Sequence, residues 1–189
     1  FYIVDETTSM TKQDLNGTKL VTMDLSAKLG KEEPLVLIYH THGSETYKKV
    51  NGKEGSVIEV GTALTKELEN VYGIKTVHDK SVYDMVDGQL DRNAAYNFAG
   101  DSVEAALRKN PSVKVVIDLH RDSVENNIHL RTKINGKSAA QIMFFNGVSR
   151  LASKGDIGYL YNPNKEANLA FSLQMQLLCG KYYPDLTRR

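Results

Sequence analysis

Cysteine is nearly absent from this 189-residue chain, and the single Cys179 excludes both a disulfide framework and a four-cysteine zinc cluster. Flanked by Leu177 and Leu178 in a helical pattern, it reads as a small buried apolar residue. Net charge is nearly absent too. The 24 basic and 23 acidic side chains leave +1 at neutral pH, which supplies no field for nucleic acid or an anionic membrane. No nucleic-acid partner is expected. No run of about 18 apolar residues offers a membrane-spanning helix, and no basic segment followed by an apolar one opens the chain. Internal repeats and low-complexity tracts are lacking as well. The expectation is a chain soluble as given, although Phe1-Tyr-Ile-Val opens abruptly apolar and without methionine, in the manner of a piece cut from a longer precursor.

What is present is an ordinary globular composition, 41% hydrophobic and 25% charged, sufficient for one sizeable core. Residues 1–33 read as a leader packed on the main domain, with short strands over 1–4 and 20–25. Residues 34–189 read as the main domain. Within it, 35–39 is an all-apolar run and 43–55 a polar loop. Val57, Val60, Leu64, Leu68 and Val71 then recur at helical spacing, with Gly73 as a stop. A short strand over 74–77 precedes a long polar connection over 79–92, a length often found in loops that shape a groove. A helix over 93–109 is closed by Asn110-Pro111, and a β-branched strand follows over 113–119. That order is βαβαβ, the pattern of a parallel sheet. Further on, 128–132 and 138–145 flank Asn135-Gly136, a hairpin signal, and a last helix covers 167–178. The expected fold is therefore α/β, a mostly parallel central sheet with flanking helices and a β-hairpin.

Chemistry enters where two apolar runs end in histidine: Pro34-Leu-Val-Leu-Ile-Tyr-His40-Thr-His42-Gly-Ser-Glu45 and Val113-Lys-Val-Val-Ile-Asp-Leu-His120-Arg-Asp-Ser123. Both runs read as buried strands delivering imidazole to one sheet edge, the edge where open α/β sheets gather ligands. Two histidines from distant sequence at that edge point to a metal site. Period-two alternation lets His40 and His42 share a face; His42 lies nearer the loop and beside Gly43, whereas His40 fits a place beneath the site. A catalytic zinc ordinarily takes a third protein ligand, and two carboxylates compete. Glu59 lies in the first turn of the helix that starts at the same edge, but Ser56-Val57-Ile58-Glu59 also fits a capping box, and the local sequence slightly favours the cap. Glu45 stands in His42-Gly-Ser-Glu45, the H-x-x-E spacing that zinc carboxypeptidases combine with a later histidine. His78 and His129 read as packing or surface residues, and Tyr47, Tyr96, Tyr159 and Tyr161 are assigned no role.

Three stretches, Tyr39-His-Thr-His-Gly-Ser-Glu-Thr-Tyr47, Val116-Ile-Asp-Leu-His-Arg-Asp-Ser123 and Gly158-Tyr-Leu-Tyr-Asn-Pro-Asn164, resemble sporulation members of the zinc N-acetylmuramoyl-L-alanine amidases of the LytC type. The likeness runs from about residue 34 to the end, with Tyr2-Ile-Val-Asp-Glu-Thr-Thr8 also similar. It implies Zn2+ held by His42, Glu59 and His120, since the Asp-Pro-Gly-His-Gly motif of other amidases matches His42 rather than His40. His40, Glu45, Arg121 and Asp122 are then supporting or substrate-contacting residues; Arg121-Asp122 stands where other amidases carry asparagine. The family's general-base glutamate, in a Leu-x-Glu-x-Gly context on a final strand, has no match after Leu178. On the resemblance, 34–189 thus lacks that strand and its glutamate, with impaired chemistry expected.

The implied activity is hydrolysis of the amide between N-acetylmuramic acid and the first stem alanine, with cleavage of peptide crosslinks as an extension, during septal wall thinning and engulfment in sporulation. The implied partners are peptidoglycan, stage II sporulation protein D and a membrane-anchored sporulation complex. The implied place is outside the cytoplasmic membrane at the sporulation septum, anchored in the full-length protein. Two other readings stay open: a carboxypeptidase-like zinc peptidase using His42, Glu45 and His120, and a non-catalytic wall-binding module with structural histidines.

Overall fold

A computed structural model describes residues 3–30, 32–47, 55–125 and 127–188. Residues 1–2 of the expected first strand and 48–54 of the expected polar loop lie outside the described residues. In chain order the elements are α1 (Gly17–Thr22), β1 (Val36–Tyr39), α2 (Val57–Asn70), β2 (Thr76–His78), β3 (Met85–Val86), β4 (Gln89–Leu90), α3 (Ala95–Lys109), β5 (Val115–Asp118), β6 (Arg131–Ile134), β7 (Lys137–Ala140), β8 (Arg150–Leu151), β9 (Gly155–Asp156) and α4 (Lys165–Tyr182). The chain divides into two compact units, residues 27–123, and residues 1–26 together with 124–189. Among the described residues no helix is long and apolar enough to cross a membrane.

The unit of residues 27–123 holds a three-stranded parallel sheet in the order β2-β1-β5, with α2 packed on β1 and β2. β1 is central, and Val36, Leu37 and Ile38 are all buried, as the unbroken apolar run requires of a strand covered on both faces. Val57 of α2 and Ala95 and Ala99 of α3 are also buried. The helix α2 begins where the sequence predicts because Ser56 and Glu59 form a reciprocal capping box.

The connection over 79–92 contains a hairpin, β3–β4, that the sequence reading treats as loop. Asp87 at φ 48° and Gly88 at φ 78° make the two left-handed turn residues such a hairpin needs, so the Asp-Gly pair was its signal. Asp91 then accepts hydrogen bonds from the amides of Asn93 (3.1 Å) and Ala94 (2.9 Å), bringing the chain into α3.

In the other unit, Leu20, Leu169, Ala170 and Leu173 form a buried cluster, with Met10, Met23 and Leu25 packed against it. The strand expected over 20–25 is instead helical through Thr22. Asn16 caps this helix by accepting from the Lys19 amide, and the turn presents Leu20 to α4. Gln174 then donates to the Leu20 and Met23 carbonyls, both at 3.0 Å, satisfying groups at the helix end. The Asn135-Gly136 hairpin forms as expected, at φ 49° and 77°, joining β6 to β7.

Candidate metal centre

Strands β1 and β5 pair in register with Tyr39 opposite Asp118, so the chain leaves both at one sheet edge. From β1 the chain goes to β2 on one side and then to β5 on the other, which makes the gap beyond β1 and β5 a topological switch point. His42 and His120 emerge there from their separate strands.

Glu45 joins them through the turn that follows β1. Its amide donates to the His42 carbonyl at 3.1 Å, and its own carbonyl accepts from Val57 at 3.1 Å, in the first turn of α2. Two backbone bonds therefore set its position. Gly43 is needed inside this turn: a Cβ there would stand 2.9 Å from the Ser81 carbonyl oxygen and 3.1 Å from Val82 Cα. The next residue, Ser44, donates its amide (3.1 Å) and hydroxyl (2.6 Å) to the wholly buried carboxylate of Asp84.

His42 Nδ1 lies 3.8 Å from Glu45 Oε1, and His120 Nδ1 lies 3.8 Å from Glu45 Oε2. The two imidazole centroids are 4.9 Å apart, and one donor atom from each of the three residues lies within 4.8 Å of the other two. Donors sharing one tetrahedral zinc at bond lengths of about 2.0–2.2 Å stand roughly 3.3–3.6 Å apart, so coordination requires the donor atoms to close from within 4.8 Å to that spacing. His42 and Glu45 are 9% and 7% exposed, whereas the His120 side chain is 31% exposed, leaving that side of the cluster accessible.

The atoms facing away from the cluster are also held. His42 Nε2 bonds the Arg92 carbonyl at 3.3 Å, and His120 Nε2 bonds Asp118 Oδ2 at 2.9 Å. With Nε2 carrying the proton, each ring turns the lone pair of Nδ1 towards Glu45, the arrangement a metal-binding histidine requires. Asp118 also receives the Thr41 amide (3.0 Å) and hydroxyl (2.6 Å), and the Arg121 amide donates to Glu45 Oε2 at 3.1 Å. The hydrogen bond that His120 donates to Asp118 holds the imidazole above the ordinary histidine range, against the opposing effect of burial. On Asp118 burial is the largest effect and acts upward, but the bonds from His120 and Thr41 together outweigh it and keep the carboxyl below the usual range.

Glu59, which the resemblance assigns to the ligand set, is not among the residues brought together here. Its Oε2 accepts from the Ser56 amide at 2.8 Å, while the Glu59 amide donates to Ser56 Oγ at 3.2 Å. The capping alternative is the one its contacts form. His40 is fully buried beneath the cluster, with Nδ1 on the Leu119 carbonyl (2.8 Å) and Nε2 on His78 Nε2 (2.9 Å). Arg121 Nη1 donates to the Asp122 carbonyl at 3.3 Å, and Asp122 Oδ1 accepts from the Ser123 amide at 2.7 Å. Sequence reasoning did not single out Asp118, Thr41, Asp84 or Arg92. Asp118 had a signal, since it stands two residues before His120 on the same strand face. Arg92 acts at His42 through its carbonyl, which no residue type announces.

A family model described as Stage II sporulation protein P (SpoIIP) matches residues 3–189. Among curated proteins, the chain is similar to stage II sporulation protein P of Bacillus subtilis (strain 168), 26% identical over 167 residues. That match covers 82% of this chain but only 38% of the relative, so the chain spans well under half of the relative's length. No solved structure matches the chain.

Proposed function

The chain belongs to the stage II sporulation protein P family, and from that premise we propose that this sporulation protein is a zinc-dependent peptidoglycan hydrolase. The bond it cleaves is the amide between N-acetylmuramic acid and the first alanine of the stem peptide, with peptide crosslinks as a further target. The observation that carries this reading is the convergence of His42 Nδ1, Glu45 and His120 Nδ1 at the switch point of a parallel sheet. A zinc ion held by these three residues would polarise the scissile carbonyl and acidify water. Two imidazoles and one carboxylate suit that ion, and each donor is oriented by a fixed partner.

The protein's own groups hold the site in shape. Asp118 keeps the Nε2 proton on His120, and the Arg92 carbonyl does the same for His42. The Arg92 guanidinium, 4.0 Å from Glu45 Oε1, balances the carboxylate's charge. The open side at His120 admits substrate from solvent, as a polymer too large to enter a closed cavity requires. Peptidoglycan, stage II sporulation protein D and a membrane-anchored complex are the partners this reading proposes, at the sporulation septum outside the cytoplasmic membrane.

A second reading is favoured by one observation. The acid that meets the histidines is Glu45, so the centre is assembled as H-x-x-E with a later histidine, the arrangement of a zinc carboxypeptidase. Elemental analysis and product analysis test both. About one zinc per chain is expected in the wild type, as a single three-residue site implies. It should be lost in His42→Ala, Glu45→Ala and His120→Ala and kept in Glu59→Ala. Loss in Glu59→Ala with retention in Glu45→Ala would restore Glu59 to the ligand set, and retention in both histidine variants would overturn the metal reading. Released whole stem peptides from cell-wall sacculi indicate the amidase; released terminal amino acids indicate the carboxypeptidase.

A further inference from the structure

The parallel ladder between β1 and β5 ends one step before the metal cluster, and side chains take over its bonds. The Leu119 amide still donates to the Tyr39 carbonyl at 2.9 Å, as a regular rung. The next rung of a parallel pair would run from the Thr41 amide to the Leu119 carbonyl. Instead, the Thr41 amide goes to Asp118 Oδ1 at 3.0 Å, and the Leu119 carbonyl is taken by His40 Nδ1 at 2.8 Å. That carbonyl belongs to the peptide plane containing the His120 amide nitrogen and ending at the His120 Cα. Whatever holds the Leu119 oxygen thus sets the direction in which His120 leaves the strand.

Several features of the surroundings make His40 suited to hold it. The ring is 0% exposed, so no water competes for the carbonyl. Its far nitrogen is bonded to His78 Nε2 at 2.9 Å, the rings meeting edge to face at 67°. For two neutral rings only one arrangement satisfies both bonds: His40 Nδ1–H donates to Leu119, and His78 Nε2–H donates to His40 Nε2. Gly61 of α2 closes the space behind them, since a Cβ there would stand 2.6 Å from His78 Nε2 and 2.8 Å from His40 Nε2. His78 Nδ1 is left buried without a partner among the described residues. A buried polar atom without a partner is costly, so the pair is a poor choice for packing alone.

We propose that His40 is a positioning residue of the metal centre: through the Leu119 carbonyl it aims His120 Nδ1 at the space shared with His42 and Glu45, and His78 holds its ring and tautomer. This rests on the reading of His42, Glu45 and His120 as metal ligands.

The test uses isosteres with cobalt(II) as the probe. The side-chain nitrogen of asparagine can occupy the place of histidine Nδ1, whereas that of glutamine occupies the place of Nε2. Cobalt affinity and the d–d absorption spectrum are measured on the full chain of the wild type, His40→Asn, His40→Gln and His40→Ala. Glutamine and alanine are expected to weaken binding about tenfold or more and to change the spectrum, while asparagine stays within about threefold of wild type and keeps its spectrum. Thermal stability should fall most in His40→Asn and His40→Ala, which leave His78 Nε2 unpaired, and least in His40→Gln, whose side-chain amide oxygen can accept from His78 Nε2, and so does not track the metal readout. Cobalt bound equally by wild type and His40→Gln, or as weakly by His40→Asn as by His40→Gln, overturns the inference while leaving the metal centre standing. No cobalt uptake by the wild type overturns the metal centre and the inference with it. In the metal-free wild type, a long-range 1H–15N spectrum should show His40 protonated at Nδ1; protonation at Nε2 alone would overturn the positioning role without any variant having to fold.

Discussion

Three carboxylates near the sheet edge differ in role because each meets different donors. Glu45 faces two imidazole nitrogens, Asp118 is committed to His120 and Thr41, and Glu59 is spent on the amide of Ser56. Protonation has its clearest stability consequence one layer below, at His78. Burial is the largest effect there and pushes its pKa below the ordinary histidine value of 6.5; His40 and Lys80 act in the same direction and Asp79 opposes them. A depressed histidine pKa means that the unfolded chain takes up the proton first as pH falls. Stability from this residue is therefore complete above pH 6.5 and declines as pH drops from there towards the lowered value. In denaturant melts at a series of pH values, the wild type should gain on His78→Gln as pH rises to 6.5 and hold a constant lead above it. A lead that grows on acidification would contradict the sign.

At the scale of elements, the start of α2 serves both helix and site. Ser56 and Glu59 satisfy each other's amides, and the Val57 amide is free to hold the Glu45 carbonyl. Ser56→Ala removes the cap and should cost about 0.5–2 kcal/mol in chemical denaturation. Zinc stoichiometry should stay at the wild-type level, because the tether to Glu45 is backbone and survives the substitution. Loss of zinc in this variant would mean that the side-chain cap itself places the ligand. The two hairpin turns show how much a local signal can carry. Asn135-Gly136 and Asp87-Gly88 adopt the same left-handed pair, but only the first lay between recognisable strand runs. β3 and β4 are two residues each, too short for alternation to reveal.

At the scale of the whole chain, all three proposed ligands and the groups that orient them lie within residues 27–123. The other unit has its own apolar cluster around Leu20, Leu169 and Leu173. Leu173→Ala should cost about 2–5 kcal/mol in that unit, read as faster amide exchange along α4. Under native conditions cobalt affinity should be unchanged, since none of the coordinating or orienting residues belongs to that unit. A matching loss of affinity would show that the metal centre depends on residues beyond 27–123.

The sequence alone determined the parallel sheet, the delivery of His42 and His120 to one edge of it, the Ser56 start of α2 and the Asn135-Gly136 hairpin. These follow from short-range chemistry: the apolar run of β1 buries on both faces, side chains alternate along strands, and particular residue pairs suit particular turns. Tertiary structure alone decided which acid meets the histidines. Both Glu45 and Glu59 start near the same edge, and the local sequence only slightly favours a cap at Glu59. The outcome rests on backbone bonds from the Glu45 amide to His42 and from the Val57 amide to Glu45, and on Ser56 engaging Glu59. Hydrogen bonds between residues far apart in sequence, such as His40 with Leu119 and His42 with Arg92, likewise exist only once the strands and loops are assembled. Residue type fixes which bonds a group can make, and the folded path of the chain fixes which partner arrives to make them.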